Sequence, residues 1–229
     1  MSLNERLIAD ELMDDPALDA GTYTEVLTDL GKVNRITLAH RPTLAFMRKA
    51  WAGRRRIKVL DVGYGDGGTL RAIAAAARKA GVKAECVGID LNPRSESVAR
   101  TATPDDLPIE YRTGDYADLA GERWDCVVSS LVAHHMTRAQ LVAFLRFMET
   151  QSQVGWFVND LHRHRFAYAG YPLLAGLMRW HPIVRHDGRM SIARSYRPAE
   201  WAPLLDEAGV KNARVFKAFP FRLCVERFR

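Results

Sequence analysis

Val59-Leu60-Asp61-Val62-Gly63-Tyr64-Gly65-Asp66-Gly67-Gly68-Thr69 decides the fold: a short, mostly apolar run breaks into a glycine-rich turn, and an alanine-rich segment follows. The run reads as a buried strand, the turn needs residues without a Cβ, and Thr69–Ala80 reads as a helix stopped at Gly81. Outward from it, Ile57–Val62 is the first strand, Glu85–Asp90 the second, and Pro93–Arg100 opens a helix. Ile109–Arg112, Trp124–Ser130 and Val154–Val158 complete a set of five strands, with a helix over Thr137–Thr150 that Thr137 caps. Pro198–Ala208 is a helix ended by Gly209. Ala213–Ala218 and Arg222–Arg227 are two strands joined as a hairpin through Phe219-Pro220-Phe221. Strands alternating with helices predict an α/β sheet with parallel strands.

The chain has 229 residues, 48% of them apolar and 26% charged, which fits a globular protein with its own core. Its longest nearly uncharged apolar stretch, Phe166 to Met178, is shorter than the roughly 18 to 20 residues of a membrane span, and no apolar run follows a basic start at the N-terminus. These features predict a cytoplasmic protein. Cys86, Cys126 and Cys224 each precede a valine in a strand-like run and read as buried free thiols. The net charge of +6 is unevenly placed: residues 1–30 hold eight acids against Arg6, 31–58 hold nine basic residues and no acid, and 161–197 hold seven arginines against Asp187. Two stretches fall outside the alternation, a helical one over 4–52 and an insertion over 161–197. Both are expected to cover a cleft at the carboxyl ends of the strands, with the N-terminal acids neutralising the basic surplus. The organisation expected is one domain: a helical lid over 1–52, a cofactor-binding core over 53–160, a helical cap over 161–197, and a final helix and hairpin over 198–229.

The turn admits two spacings. Gly63, Gly65 and Gly68 fit the G-x-G-x-x-G of dinucleotide sites, and Asp61 with Gly63, Gly65 and Gly67 fits a D-x-G-x-G-x-G form used for S-adenosylmethionine. Charge separates them. A pyrophosphate wants bare amides at a helix N-terminus, and Asp66 inside the turn would repel it, whereas a ligand with an amino group and a sulfonium gains from nearby acids. Asp90 ends the second strand, where a carboxylate accepts from both ribose hydroxyls, and Gly114-Asp115-Tyr116 is placed against an adenine.

With these residues the chain resembles the class I S-adenosylmethionine-dependent methyltransferases, from about Ile57 to the C-terminus. The resemblance rests on Asp61-Val62-Gly63-Tyr64-Gly65-Asp66-Gly67, Asp90-Leu91-Asn92, Gly114-Asp115-Tyr116, Ser129-Ser130-Leu131 with His134-His135, and the closing hairpin. It implies a Rossmann-like, doubly wound, mainly parallel seven-stranded sheet with an antiparallel C-terminal strand. It also implies that Gly63, Gly65 and Gly67 line the methionine part, Asp90 the ribose and Asp115 the adenine amine, with Asp61, Tyr64, Leu91, Tyr116 and Ser130 in the same site. S-adenosyl-L-methionine is then the cofactor and S-adenosyl-L-homocysteine its product. Tyr64 departs from the small residue of many relatives; it either restricts the cofactor or points into the core. Trp156 to Arg163, Arg185-His186-Asp187-Gly188 and Phe219 to Arg222 are similar to a bacterial subgroup of small-molecule methyltransferases, implying phenolic, quinone-like or polyketide acceptors.

Methyl transfer is an in-line displacement that needs alignment above all, and a hydroxyl acceptor also needs a base. His134 and His135 follow the fourth strand, where the methyl would sit. His135 is favoured because only one imidazole is expected to face the cleft, and either histidine would otherwise pack against the next helix. Asp160 would orient an imidazole, bind the acceptor or cap the following segment. Arg41, in His40-Arg41-Pro42, would close on the cofactor carboxylate or lie on the surface. No metal is expected, because His162, His164, His181 and His186 lack a compact ligand spacing. Tyr168, Tyr171, Leu173, Leu174, Leu177, Met178 and Trp180 form an apolar stripe: a lid over the acceptor, a patch for transient contact with a membrane surface, or a core-covering helix. A small-molecule acceptor is expected and no nucleic acid, since Ser129-Ser130-Leu131-Val132 replaces an Asn-Pro-Pro-Tyr-type motif. The alternatives are an RNA methyltransferase, an NAD(P)-binding oxidoreductase and a non-catalytic cofactor-binding protein. No oligomeric state is legible.

Overall fold

The computed structural model describes residues 3–229. Its strands are β1 (Arg56–Val62), β2 (Lys83–Asp90), β3 (Ile109–Thr113), β4 (Trp124–Ser130), β5 (Ser152–Leu161), β6 (Arg214–Ala218) and β7 (Arg222–Phe228), in the order β3-β2-β1-β4-β5-β7-β6. Six run parallel, and β7 is antiparallel to both neighbours, β5 and β6. The direction of winding reverses between β1 and β4, so the chain leaves their ends toward opposite sides and a crevice opens there.

Both faces of the sheet are covered, which explains why β1 reads as apolar almost throughout. Ile57 and Val59 face Phe46, Met47, Leu70 and Ile73, from α2 (His40–Ala50) and α3 (Gly68–Lys79). Leu60 and Val62 face the opposite layer, built with Phe144 and Leu145 of α5 (Arg138–Gln151) and Trp201 and Leu204 of α8 (Pro198–Ala208). Helix ends follow their caps: Asp19 accepts from Thr22 N to start α1 (Ala20–Ile36), Asn92 starts α4 (Pro93–Ala102), Thr137 and Gln140 form a capping box, and left-handed Gly209 ends α8.

One expectation needs correction. The fifth strand is longer than Val154–Val158, because its ladder with β7 continues to Leu161 opposite Arg222; Asn159 and Asp160 therefore sit inside a strand, fixed on both sides. The N-terminal stretch holds two helices and a short turn (Leu12–Asp14) preceded by irregular chain, which Leu7 N ties to Ala193 O. Residues 161–197 contain α6 (Arg165–Leu177) and α7 (Pro182–Arg194). The apolar stripe splits: Tyr171, Leu174 and Trp180 pack inward with Val26, Val33 and Val184, whereas Leu173 and Leu177 are exposed on α6. No helix among the described residues is long and apolar enough to cross a membrane. Cys86, Cys126 and Cys224 are buried free thiols, and burial pushes Cys86 and Cys224 up to about 12.

Beneath the glycine turn, Tyr64 points into the core with its ring centroid 4.9 Å from that of Tyr111. It lies over Gly88, where a Cβ would stand 2.6 Å from Tyr64 Cδ1 and 2.8 Å from Leu70 Cδ1. Gly88→Val should cost about 1–3 kcal/mol by overpacking, read as a lower urea midpoint. Asp61, between Gly88 and Val128 in the sheet, is buried and neither carboxylate oxygen has a partner. Burial above all, and then the charges of Asp90 and Asp66, hold it well above the usual carboxylate range. A raised carboxyl contributes stability that is full below its unfolded pKa and is lost as pH rises toward its folded value. Asp61→Asn should therefore raise the ligand-free protein's stability relative to wild type progressively above pH 4, by up to about 1.4 kcal/mol per pH unit. Urea unfolding of both proteins at pH 5 and pH 8 checks this.

Candidate active site

The crevice leads into a cavity of about 740 Å³, within the roughly 300–1,000 Å³ usual for small-molecule sites. Its floor is made by the loops after β1 to β4, and its walls by α1, α6 and α7 and by the turn before β7. The loop after β1 approaches closely. Gly63 (φ +74°) and Gly65 (φ +54°) are left-handed and line the cavity, and a Cβ on Gly63 would collide with Val132 after β4.

Asp90 Oδ2 accepts from Gly65 N at 3.0 Å and Oδ1 from Asn92 N at 2.9 Å, so the two loops hold the carboxylate at the cavity floor. Burial pushes Asp90 up, and the two amides pull it back in part. Leu91 exposes an apolar surface beside it, and Tyr116, resting on Phe144 and Phe147, faces the same space with Gly114 and Ser130. Asp66 also lines this end, with Arg71 Nη2 at 3.0 Å. Side-chain-free turn residues, an acid at the end of β2 and an apolar shelf fit S-adenosylmethionine. The two acids at Asp66 and Asp90 do not suit a pyrophosphate.

Four of the expected cofactor residues do not line the cavity. Arg41 is exposed on the first turn of α2, with its guanidinium in solvent. Gly67 is left-handed to let the Tyr111 ring approach. Asp115 turns away to accept from Ala117 N at 2.9 Å, capping the turn that carries Tyr116. Asp61 is buried behind Asp90 and Asp66, whose charges it feels. Tyr64 lines the cavity with one edge only, since its ring packs below.

Both imidazoles line the cavity, not one. Val132 and the short turn Ala133–His135 set the rings side by side, 4.2 Å between centroids. They differ in support. His134 is buried; its Nδ1 lies 2.7 Å from Asp160 Oδ1, and its backbone N donates to Asp160 Oδ2 at 2.9 Å. That pairing makes Nδ1 the protonated nitrogen and leaves Nε2 as the acceptor; Nε2 is buried, has no hydrogen-bond partner and lies 3.7 Å from Glu11 Oε1. Burial alone would raise Asp160, but the imidazole of His134 against it and the hydrogen bonds from His134 and Leu161 outweigh it and hold it below the usual range. His135 is 30% exposed, with Nδ1 3.4 Å from Asp14 and Nε2 3.8 Å from Glu11.

Glu11, Asp14, Thr37, Asp187 and Arg222 also line the cavity, and sequence reasoning named none of them as a site residue; Tyr171, expected in a stripe that could cover the acceptor, lines it too. Asp187 accepts from Leu12 N at 3.0 Å and Met13 N at 2.9 Å, which brings the acidic N-terminal segment over α7. Glu11 lands beside Ser191 Oγ (2.7 Å) and Arg194 Nη1 (3.4 Å), so one N-terminal acid does neutralise a cap arginine. Glu11, His134 and His135 each offer a ligand atom, all within 4.8 Å of one another. This trio brings together residues that no local spacing reveals; Arg194 already holds the position of a cation beside Glu11.

The model of the methyltransferase domain family matches residues 59–151. No curated protein matches the chain by sequence. Among solved structures, the chain is similar to human N-acetylserotonin methyltransferase in complex with S-adenosylmethionine (14% identity, TM-score 0.64), with 92% of this chain aligned and 56% of that one. An S-adenosylmethionine-dependent methyltransferase from Aquifex aeolicus aligns at 16% identity and TM-score 0.62, over 91% of this chain and 97% of that one. Magnesium protoporphyrin IX methyltransferase from Synechocystis PCC 6803, with bound S-adenosylhomocysteine, aligns at 16% identity and TM-score 0.59, over 95% and 91%. Residues 59–151 thus resemble a methyltransferase domain, and the chain has the fold seen in S-adenosylmethionine-dependent methyltransferases.

Proposed function

We propose that this protein transfers the methyl group of S-adenosylmethionine to a hydroxyl of a small, largely apolar acceptor of phenolic, quinone-like or polyketide type. The observation that carries the reading is a single cavity with a carboxylate-bearing glycine turn at one end and a buried, carboxylate-supported imidazole at the other. The neighbours named for methyltransferases of N-acetylserotonin and magnesium protoporphyrin IX support methylation of small molecules.

S-adenosylmethionine supplies a methyl group made electrophilic by its sulfonium. Asp90 binds the ribose hydroxyls, Gly63 and Gly65 let the methionine part lie against backbone, and Leu91 and Tyr116 flank the adenine. Val26, Leu30, Leu174 and Val184 wall the acceptor end with apolar surface, which excludes water and suits an apolar body. His134 takes the hydroxyl proton on Nε2 as the oxygen becomes nucleophilic, and Asp160 keeps the ring in the required tautomer and stabilises the imidazolium. His135, half-buried and held by exposed Asp14 and buried Glu11, orients the acceptor instead of acting as base.

Calorimetry with S-adenosylhomocysteine tests the cofactor assignment. Binding should saturate at one ligand per chain, and Asp90→Ala should weaken it at least about tenfold, since a hydrogen bond to a charged group contributes about 1.5–3 kcal/mol. NAD(P) bound in its place would overturn the reading. With an acceptor found by screening phenols, His134→Ala should lower kcat by about 10²–10⁴-fold with S-adenosylhomocysteine affinity unchanged. Asp160→Asn should follow it in part, and His135→Ala should act mainly on KM. Unchanged kcat in His134→Ala would leave alignment alone as the catalytic device.

A further inference from the structure

Arg222 opens β7, opposite Leu161, and its side chain lines the cavity although only 2% of the residue is exposed. A buried guanidinium is expected to have its five N–H donors engaged and its charge paired. Here Nη2 donates to Thr37 Oγ1 at 3.2 Å, and Nε and Nη1 have no partner. Thr37 is itself fixed, its hydroxyl donating to Val33 O at 2.8 Å, so that its lone pairs are directed to Arg222. The acid whose charge most favours the Arg222 cation is Asp160. Both oxygens of Asp160 are already engaged, Oδ1 by His134 Nδ1 and Leu161 N and Oδ2 by His134 N. Arg222 therefore forms no ion pair among the described residues, and the hydrogen bonds of Asp160 go to His134 and Leu161 instead. Burial pulls the Arg222 guanidinium down to about 10, the mark of a cation short of counter-charge.

We propose that Arg222 is the specificity-determining residue for the acceptor: it binds an anionic oxygen, a carboxylate or acidic phenol, on the molecule whose hydroxyl His134 deprotonates. The inference rests on the proposed methyl transfer and narrows its acceptor class to hydroxy acids with an apolar body. Nη2 keeps a second N–H beside the one given to Thr37, and with Nε or Nη1 it completes a planar edge that matches a carboxylate in a two-point contact, which a neutral amide or ester reproduces poorly.

The test uses a matched probe pair, 1-hydroxy-2-naphthoate and 1-hydroxy-2-naphthamide, titrated by calorimetry into the full-length protein with and without saturating S-adenosylhomocysteine. The wild type should prefer the carboxylate by tenfold or more; equal binding, or preference for the amide, overturns the proposal. Arg222→Gln should abolish that preference and Arg222→Lys should keep part of it. A preference that survives in folded Arg222→Gln also overturns the proposal, and the wild-type comparison stands whether or not the variant folds. A second arm compares S-adenosylhomocysteine with its decarboxylated analogue. If Arg222→Gln removes a preference between these two, the bound carboxylate is the cofactor's own and the acceptor assignment is wrong. Failure of S-adenosylhomocysteine to bind the wild type counts against methyl transfer itself, and the probe pair titrated without it still decides the role of Arg222.

Discussion

Everything at the site depends on the divergence of the chain at the ends of β1 and β4. These neighbouring parallel strands hand the chain to opposite sides of the sheet, and the opening between them is the one place where backbone can be approached from above the strands. The close packing of Gly63 against Val132 shows how little space the two loops leave each other. A side chain at Gly63 would force them apart and spoil both ends of the cavity together. The acid held by Gly65 N and the imidazole held by Asp160 are consequences of the same divergence, one on each side of it.

The electrostatics follow from burial within that frame. Asp61, Asp90 and Glu11 are all pushed up by desolvation, whereas Asp160, equally buried, is held down because a histidine and a backbone amide meet it directly. The cavity therefore has Asp66 and Asp90 at an end suited to a ligand that carries positive charge, and an end where Glu11 and Asp14 lie against the histidines and Arg222 is left without an ion pair among the described residues. An anionic hydroxy acid entering the second end would bring the missing counter-charge to Arg222 while placing its hydroxyl at the free nitrogen of His134. The cationic cofactor and an anionic acceptor would then meet with their charges complementary.

The cofactor end is legible in the sequence because it is local: strand, glycines and acids follow one another from Val59 to Asp66, and Asp90 ends the next strand. Gly67, Asp115 and Arg41 show the limit of such reading, since each stands at a plausible spacing but is turned to a neighbour or to solvent. The acceptor end is assembled from residues far apart in the chain. Glu11 arrives because Asp187 holds two amides of the N-terminal segment, and Arg222 because β5 runs three residues further than its apolar pattern ends. The choice between His134 and His135 likewise turns on Asp160, whose inward direction is set by the β5–β7 ladder and not by any local signal.

A crystal structure of the complex with S-adenosylhomocysteine tests the central claim most directly. The ribose hydroxyls should lie on Asp90, and the thioether sulfur should point into the space between Gly63 and the free nitrogen of His134. A ligand seated elsewhere, or a sulfur turned away from His134 toward the outer face of the cavity, would contradict it.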